Sequence, residues 1–400
     1  MSRLAKLIKT LCPNGVDYVP LWSVTIWDKK FMNVDRRKQS AVIKYHYFFA
    51  DELKSLIVPD GDIKVLTTST TDFYTVEDHV RSYISNGEVV AIPGGGNANI
   101  QYYKGKFVTS DNRIATSSDI NILDNKYLYY VLENRLEEIS NFYRGSGIKH
   151  PNMSKVLDLI IPLPPIEVQR EIVRILDSFT KYTVLLKKEL VLRKKQYAYY
   201  RDMLLDFGDD VEWKTLGEIG KVSMCKRIMK HQTNSESGVP FFKIGTFGKK
   251  PDSYISFKLF NEYKQKYSYP KKGDILISAS GTIGRTVIFD GNPAYFQDSN
   301  IVWIDNNEKI VLNKYLYYFY MTNPWKISEG GTIARLYNDN LEKTEIPIPP
   351  IEKQKKIVKI LDKFNLLCND LTNGLPAEIN ARQKQYEYYR DKLFTFKELK

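Results

Sequence analysis

Two sets of segments in this sequence bring small turn residues together with cations and carboxamides. Pro93-Gly-Gly-Gly-Asn-Ala-Asn99 is followed by Asp111-Asn112-Arg113 and then by Arg144-Gly-Ser-Gly-Ile-Lys-His150. Later, Ala279-Ser-Gly-Thr-Ile-Gly-Arg285 is followed by Asp298-Ser-Asn300 and then by Gly330-Gly-Thr-Ile-Ala-Arg335. Turns of Gly, Ser and Thr let backbone N–H groups approach an anion closely. Arg, Lys and Asn add positive charge and directed donors. The chemistry on offer is recognition of a polyanion.

Catalytic patterns are missing or fail on spacing. Adenine methyl transfer needs a Gly-rich cofactor motif and Asn/Asp-Pro-Pro-aromatic. Asn292-Pro293-Ala294 and Asn323-Pro324-Trp325 both lack the second proline. Gly245-Thr-Phe-Gly248-Lys-Lys250 has the wrong spacing for a phosphate-binding loop. Pro251-Asp252 followed by Glu262-Tyr-Lys264 imitates a metal-dependent nuclease site. That chemistry needs Glu and Lys on a strand, and Leu259 to Lys266 is too polar for a buried one. The more compact Pro59-Asp60 with Asp62-Ile-Lys64 fails as well. Three cysteines (Cys12, Cys225, Cys368) and four scattered histidines form neither a disulfide framework nor a zinc pattern. No metal, cofactor or catalytic residue is expected in this chain.

The bulk properties fit that reading. The 400 residues, 43% hydrophobic and 26% charged, with mean hydropathy −0.38, exclude a disordered chain, a collagen-like repeat and a polytopic membrane protein. The first residues carry Arg3, Lys6 and Lys9 in place of an apolar signal core, so a cytoplasmic, reduced protein is expected. The net charge of +12 suits a nucleic-acid partner, but it is spread along the chain and supports that partner only weakly.

The elements that must position these segments come from an internal repeat. Pro162 to Phe179 matches Pro347 to Phe364 at 12 of 18 positions, and Arg193 to Leu204 matches Arg382 to Leu393 at 9 of 12. Both copies open on Pro-x-Pro-Pro-Ile-Glu-x-Gln and close on Gln-Tyr-x-Tyr-Tyr-Arg-Asp. Between those tags, Ile172, Leu176, Phe179, Thr183, Leu186, Leu190, Arg193, Tyr197, Tyr200 and Leu204 recur at spacings of four and three. That is a heptad seam on one long helix, about 60 Å at 1.5 Å per residue. The second seam, from Ile357 through Leu371, Leu375 and Ile379 to Leu393, contains a four-residue insertion. Asn373-Gly-Leu-Pro376 there predicts a kink or break. Regions 1–161 and 208–346 differ in sequence but share punctuation: a buried strand entering a small-residue turn, hairpin turns at Lys104-Gly105 and Asp290-Gly291-Asn292, then a helix with Tyr-Leu-Tyr-Tyr. The Tyr-Leu-Tyr-Tyr clusters read as helix packing rather than base stacking.

The tandem Pro-x-Pro-Pro-Ile-Glu-x-Gln helix starts, the Gln-Tyr-x-Tyr-Tyr-Arg-Asp ends and the Gly-Asp-Ile-Leu-Ile-Ser turn (Gly273 to Ser278) resemble specificity subunits of type I DNA restriction–modification systems. The resemblance covers the whole chain. It implies an α+β protein in which two mixed α/β target recognition domains (1–161 and 208–346) alternate with two long helices (162–207 and 347–400). The helices would pack as an antiparallel coiled coil in a pseudo-twofold internal repeat. It implies no catalysis by this chain. Implied partners are double-stranded DNA carrying a bipartite target, two DNA adenine methyltransferase subunits, and restriction/translocase subunits, with no membrane. S-adenosylmethionine, ATP and Mg²⁺ would belong to those partners. Base edges are read mostly by Arg, Lys, Asn and Gln. The candidate DNA contacts are therefore Arg36, Arg37, Asn97, Asn99, Asn112, Arg113, Arg144, Ser146 and Lys149 in the first domain, and Lys243, Ser280, Thr282, Arg285, Asn300, Thr332 and Arg335 in the second. The alternatives are a stand-alone metal-dependent endonuclease and a coiled-coil adaptor that reads no sequence.

Overall fold

A computed structural model describes residues 2–208, 210–326 and 335–399. The chain divides into two compact units, Met1–Leu185 with Ile379–Lys400, and Leu186–Glu378.

In the first unit a six-stranded sheet has the spatial order Thr25–Trp27, Asn112–Ser117, Ser85–Pro93, Gln101–Thr109, Ile63–Leu66, Tyr74–Thr75. Gln101–Thr109 and Ile63–Leu66 are parallel, and the other neighbours antiparallel. Val89 to Ile92 are each 1% exposed, because this central strand is covered on both faces and so reads as an unbroken apolar run. The turn expected at Lys104-Gly105 is not there. The strand runs through it with Gly105 opposite Gly87, and residues 94–100 reverse the chain. A Cβ on Gly105 would meet the Tyr103 hydroxyl at 3.2 Å, so this glycine makes room for a ring instead of a turn.

The second unit repeats the first four strands as Lys221–Met224, Ile301–Asp305, Ile275–Ser278, Thr286–Ile288. Four further strands form a separate sheet, Thr233–Asn234, Tyr254–Ile255, Val239–Phe242, Tyr295–Phe296. Asp290-Gly291-Asn292 is a turn held by the Asp290 carboxylate, but the strands on either side of it belong to different sheets. The true hairpin is Ile275–Ser278 with Thr286–Ile288, reversed by 279–285. In both domains, then, the small-residue segment is the hairpin loop.

Each domain is closed by an antiparallel clasp between its entry and exit strands, Asp17–Pro20 with Ile160–Leu163 and Glu212–Thr215 with Glu345–Ile348. The exit strand leads through the paired prolines into a helix. Gln169, fully buried, donates to the carbonyls of Ile122 and Pro164 and accepts from the Asp124 N–H. Gln354 repeats this with Ile310, Pro349 and Leu312. The tyrosines of the Tyr-Leu-Tyr-Tyr clusters, which precede these helices in the chain, are equally committed. Tyr127 and Tyr130 bond Pro162 O and the Asp177 carboxylate, as Tyr315 and Tyr318 bond Pro347 O and that of Asp362. All four are at most 2% exposed, so they pack as the sequence implies.

The first long helix is one piece of 40 residues, Ile166–Leu205. The second copy is two helices, Ile351–Asn369 and Leu375–Leu393. Between them Asp370 accepts hydrogen bonds from Thr372 and Asn373. Gly374 sits where a Cβ would meet Leu366 O at 2.5 Å and Asp370 O at 2.7 Å. Leu371, a seam position by spacing, is 80% exposed on this turn. Within the first unit the helices pair antiparallel: Phe179 stacks on Tyr389, and Arg382 lies over Tyr182. Within the second, Phe364 lies against Tyr197 and Tyr200. Among the described residues no helix is long and apolar enough to cross a membrane.

Candidate nucleic-acid interface

In the first domain the hairpin loop 94–100 is fastened on both sides. Gly94 N–H donates to Asp111 O at 2.8 Å, and Gly96 N–H to Lys149 O at 2.8 Å. The Tyr143 hydroxyl donates to Pro93 O at 2.8 Å, and His150 Nδ1 lies 2.6 Å from Gly94 O. A Cβ on Gly94 would fall 2.4 Å from Asp111 O, and one on Gly95 3.0 Å from the Ile148 side chain. The run of glycines therefore permits close approach of three segments. Asn97, Asn99, Asn112, Arg113, Arg144, Ser146 and Lys149 come together on the resulting rim.

They do not all face outward. Asn97, Arg144, Ser146 and Lys149 are exposed. Asn112 is 2% exposed and donates to Leu66 O, Thr67 O and Thr109 Oγ1. Asn99 donates to Thr68 O, and Gln101 to Thr67 O. Three carboxamides thus converge on three consecutive carbonyls, those of Leu66, Thr67 and Thr68, and fix the hydroxyl-rich loop Thr67-Thr-Ser-Thr-Thr-Asp72 at the rim. Lys64 holds its other end through Thr71 O and Asp72. The sequence gives this loop no periodicity and no cation, so reasoning from sequence passed over it. Arg113 pairs with Asp111 at 2.6 Å, and Lys29 lies 3.5 Å from the same carboxylate. Burial works to raise the Asp111 carboxyl, but Arg113 and then Lys29 outweigh it and hold the group below its ordinary value. Lys29 also lies over the Tyr47 ring, 4.6 Å from its centroid, another contact that sequence reasoning missed. Arg36 and Arg37 lie on a short 3-10 turn without a contact to this rim. Arg37 is bound to Asp35, whose carboxyl its hydrogen bond holds down at about 2.

The second domain repeats the fastening with other residues. Ala279 N–H donates to Asn300 O and Leu336 N–H to Ala279 O, each at 2.8 Å. Ser280 donates to Asn300 Oδ1 at 2.8 Å and bridges to Arg335. Arg335 Nη2 donates to Ser299 O at 2.7 Å. Arg285 is turned partly inward, to Phe247 O at 3.0 Å and Thr282 Oγ1 at 3.3 Å. Lys243, paired with Asp252 at 2.9 Å, joins Asn300 and Arg335 across a groove of about 590 Å³ that Arg227, Lys230 and Asp298 also line. Sequence reasoning missed Arg227 and Lys230 on that wall; the adjacent cations Lys226-Arg227 are the signal that could have found it. Thr332 lies outside the described residues.

The carboxylates and lysine at 252–264 are not arranged as a metal-dependent nuclease site. Phe257–Lys266 is a helix in which Glu262 pairs with Lys266 and Lys264 lies over Phe260 and Tyr269. Asp252, Glu262 and Lys264 therefore do not form the strand-borne set a nuclease needs. Among the described residues no group of three or more His, Cys, Asp or Glu could hold a metal ion.

Residues 40–192 and 208–381 match the family model of the type I restriction modification DNA specificity domain. The chain is 32% identical to the EcoR124I/EcoR124II specificity subunit of Escherichia coli, over 99% of this chain and 98% of that one. It is 52% identical to a Haemophilus influenzae protein provisionally named as a type I restriction enzyme specificity subunit, over 80% of this chain and 86% of that one. The fold is similar to the crystal structure of an S subunit from M. genitalium, with TM-score 0.59, 15% identity, and coverage of 95% and 96%.

Proposed function

Because the chain belongs to the type I restriction–modification DNA specificity family and is a DNA specificity subunit, we propose that its two domains each read one half of a bipartite DNA target. The rim built twice supports this reading. In each domain the hairpin loop is locked to the turn that leads into the adjacent strand of the sheet, Asn112–Ser117 or Ile301–Asp305, by Gly94 N–H to Asp111 O and by Ala279 N–H to Asn300 O. Different side chains stand on the same scaffold, so one frame presents two base preferences. Phosphate contacts position such a protein, and base-edge contacts specify its site.

The repeated helices would carry two DNA adenine methyltransferase subunits, with restriction/translocase subunits joining them in the cytoplasm. S-adenosylmethionine, ATP and Mg²⁺ are the partners' reagents, and this chain takes no cofactor. It is noncatalytic. Purified alone it should neither methylate nor cleave DNA, and with methyltransferase subunits added it should direct adenine methylation to one sequence. Methyl transfer or metal-dependent cleavage by the lone chain would refute this. Binding indifferent to base sequence would favour an adaptor.

A further inference from the structure

The groove of the second domain holds a carboxylate among its cations. Asp298 accepts from Arg227 Nε at 2.8 Å, and its side chain is 15% exposed. One residue on, Ser299 takes the left-handed conformation at φ 60°, which a non-glycine residue adopts at a cost and which marks sites that need a fixed geometry. The Ser299 carbonyl accepts from Arg335 Nη2, and the guanidinium lies 6.0 Å from the Tyr337 ring centroid. Arg335 is thus braced beside Asp298, with Lys230 and Lys243 on the same groove.

A groove shaped only for phosphate gains nothing from a carboxylate, which repels the backbone. A base-edge reader does. An arginine fork matches the two acceptors of guanine, O6 and N7, and Asp or Glu accepts from the N4 amino group of cytosine. Resting on the reading that the second domain reads sequence, we infer that this groove recognises a G·C pair in the major groove. Arg335 donates to the guanine, Asp298 accepts from the paired cytosine, and Lys230 and Lys243 hold flanking phosphates.

The test uses the chain assembled with its methyltransferase subunits, and the methylated sequence is read genome-wide in a host expressing the system. The wild-type half-site of the second domain should contain an invariant G·C pair. Arg335→Ala, Arg335→Lys and Asp298→Asn should each lose discrimination at that pair, roughly five- to a hundredfold, with the other positions kept. Arg335→Lys keeps the charge and loses the fork, so it decides the matter if the alanine variant does not assemble. A half-site of A·T pairs alone, or Arg335→Lys with full discrimination, would overturn the assignment. So would a uniform loss across all sequences with a shallower salt dependence, which marks a phosphate contact. The underlying reading fails separately, if exchanging residues 208–346 moves neither half-site.

Discussion

Phe179 is stacked on Tyr389, with ring centroids 5.5 Å apart and planes inclined by 21°. Phe364 and Tyr200, the same positions in the opposite copies, stack at 5.5 Å and 22°. In each unit the start of one copy's helix meets the end of the other's, so both units combine a domain with equivalent helical halves. Offset aromatic pairs contribute about 0.5–1.5 kcal/mol beyond area burial. Double-mutant cycles of Phe179 with Tyr389 and of Phe364 with Tyr200 to alanine should each give a coupling in that range. Phe179 with Tyr200 should give none, and coupling there would refute the pairing.

Gln169 anchors the first helix to its domain through three hydrogen bonds in a site without solvent. Gln169→Ala leaves buried donors and acceptors unpaired and should cost about 1–3 kcal/mol. Amide exchange at Asp124 should quicken, and Gln354→Ala should do the same at Leu312. An unchanged exchange rate at those amides would show that the motif glutamine is replaceable.

Asn112 separates anchoring from reading. Its carboxamide faces Leu66, Thr67 and Thr109, so Asn112→Ala should destabilise the first domain by about 1–3 kcal/mol. Methylation should then fall evenly over all sequences. Relaxation at one base pair alone would show that Asn112 touches DNA.

The turn in the second helix depends on Gly374. Gly374→Ala forces a Cβ against three backbone carbonyls, those of Leu366, Leu367 and Asp370, and should cost about 1–3 kcal/mol, as overpacking does. Deleting Asn373 to Pro376 removes the four extra residues, two from the turn and two from the start of Leu375–Leu393, which would span about 6 Å if all were helical at 1.5 Å per residue. The nonspecific spacer of the target should change by one or two base pairs, at ~3.4 Å each, while both half-sites stay the same. An active deletion variant with the original spacer would show that this turn plays no part in setting the distance.

Much of this was legible because repeated residues bear repeated duties. The Pro-Pro-Ile-Glu-x-Gln tags mark helix starts because the glutamine and prolines make the same bonds twice, and the tyrosine clusters pack because their hydroxyls find partners. Local signals misled where packing decided. Gly105 looks like a turn former, yet it sits in mid-strand under Tyr103. Leu371 has seam spacing, yet Asp370 and Gly374 turn the chain before the seam resumes. At the rims, residue type could not tell an outward carboxamide such as Asn97 from an inward one such as Asn112, because the partners are backbone carbonyls. The cation wall at Arg227 and the hydroxyl loop at Thr67–Asp72 lie outside the glycine-rich turns and become neighbours of the rim only through the sheet order.

If each domain reads one half-site independently, exchanging one domain must exchange one half-site. The decisive measurement replaces residues 208–346 with the equivalent domain of another family member and sequences the methylated sites made by the assembled complex. The expected result is a target in which one half-site is new and the other is unchanged. A target with both half-sites altered, or with neither, would contradict independent reading.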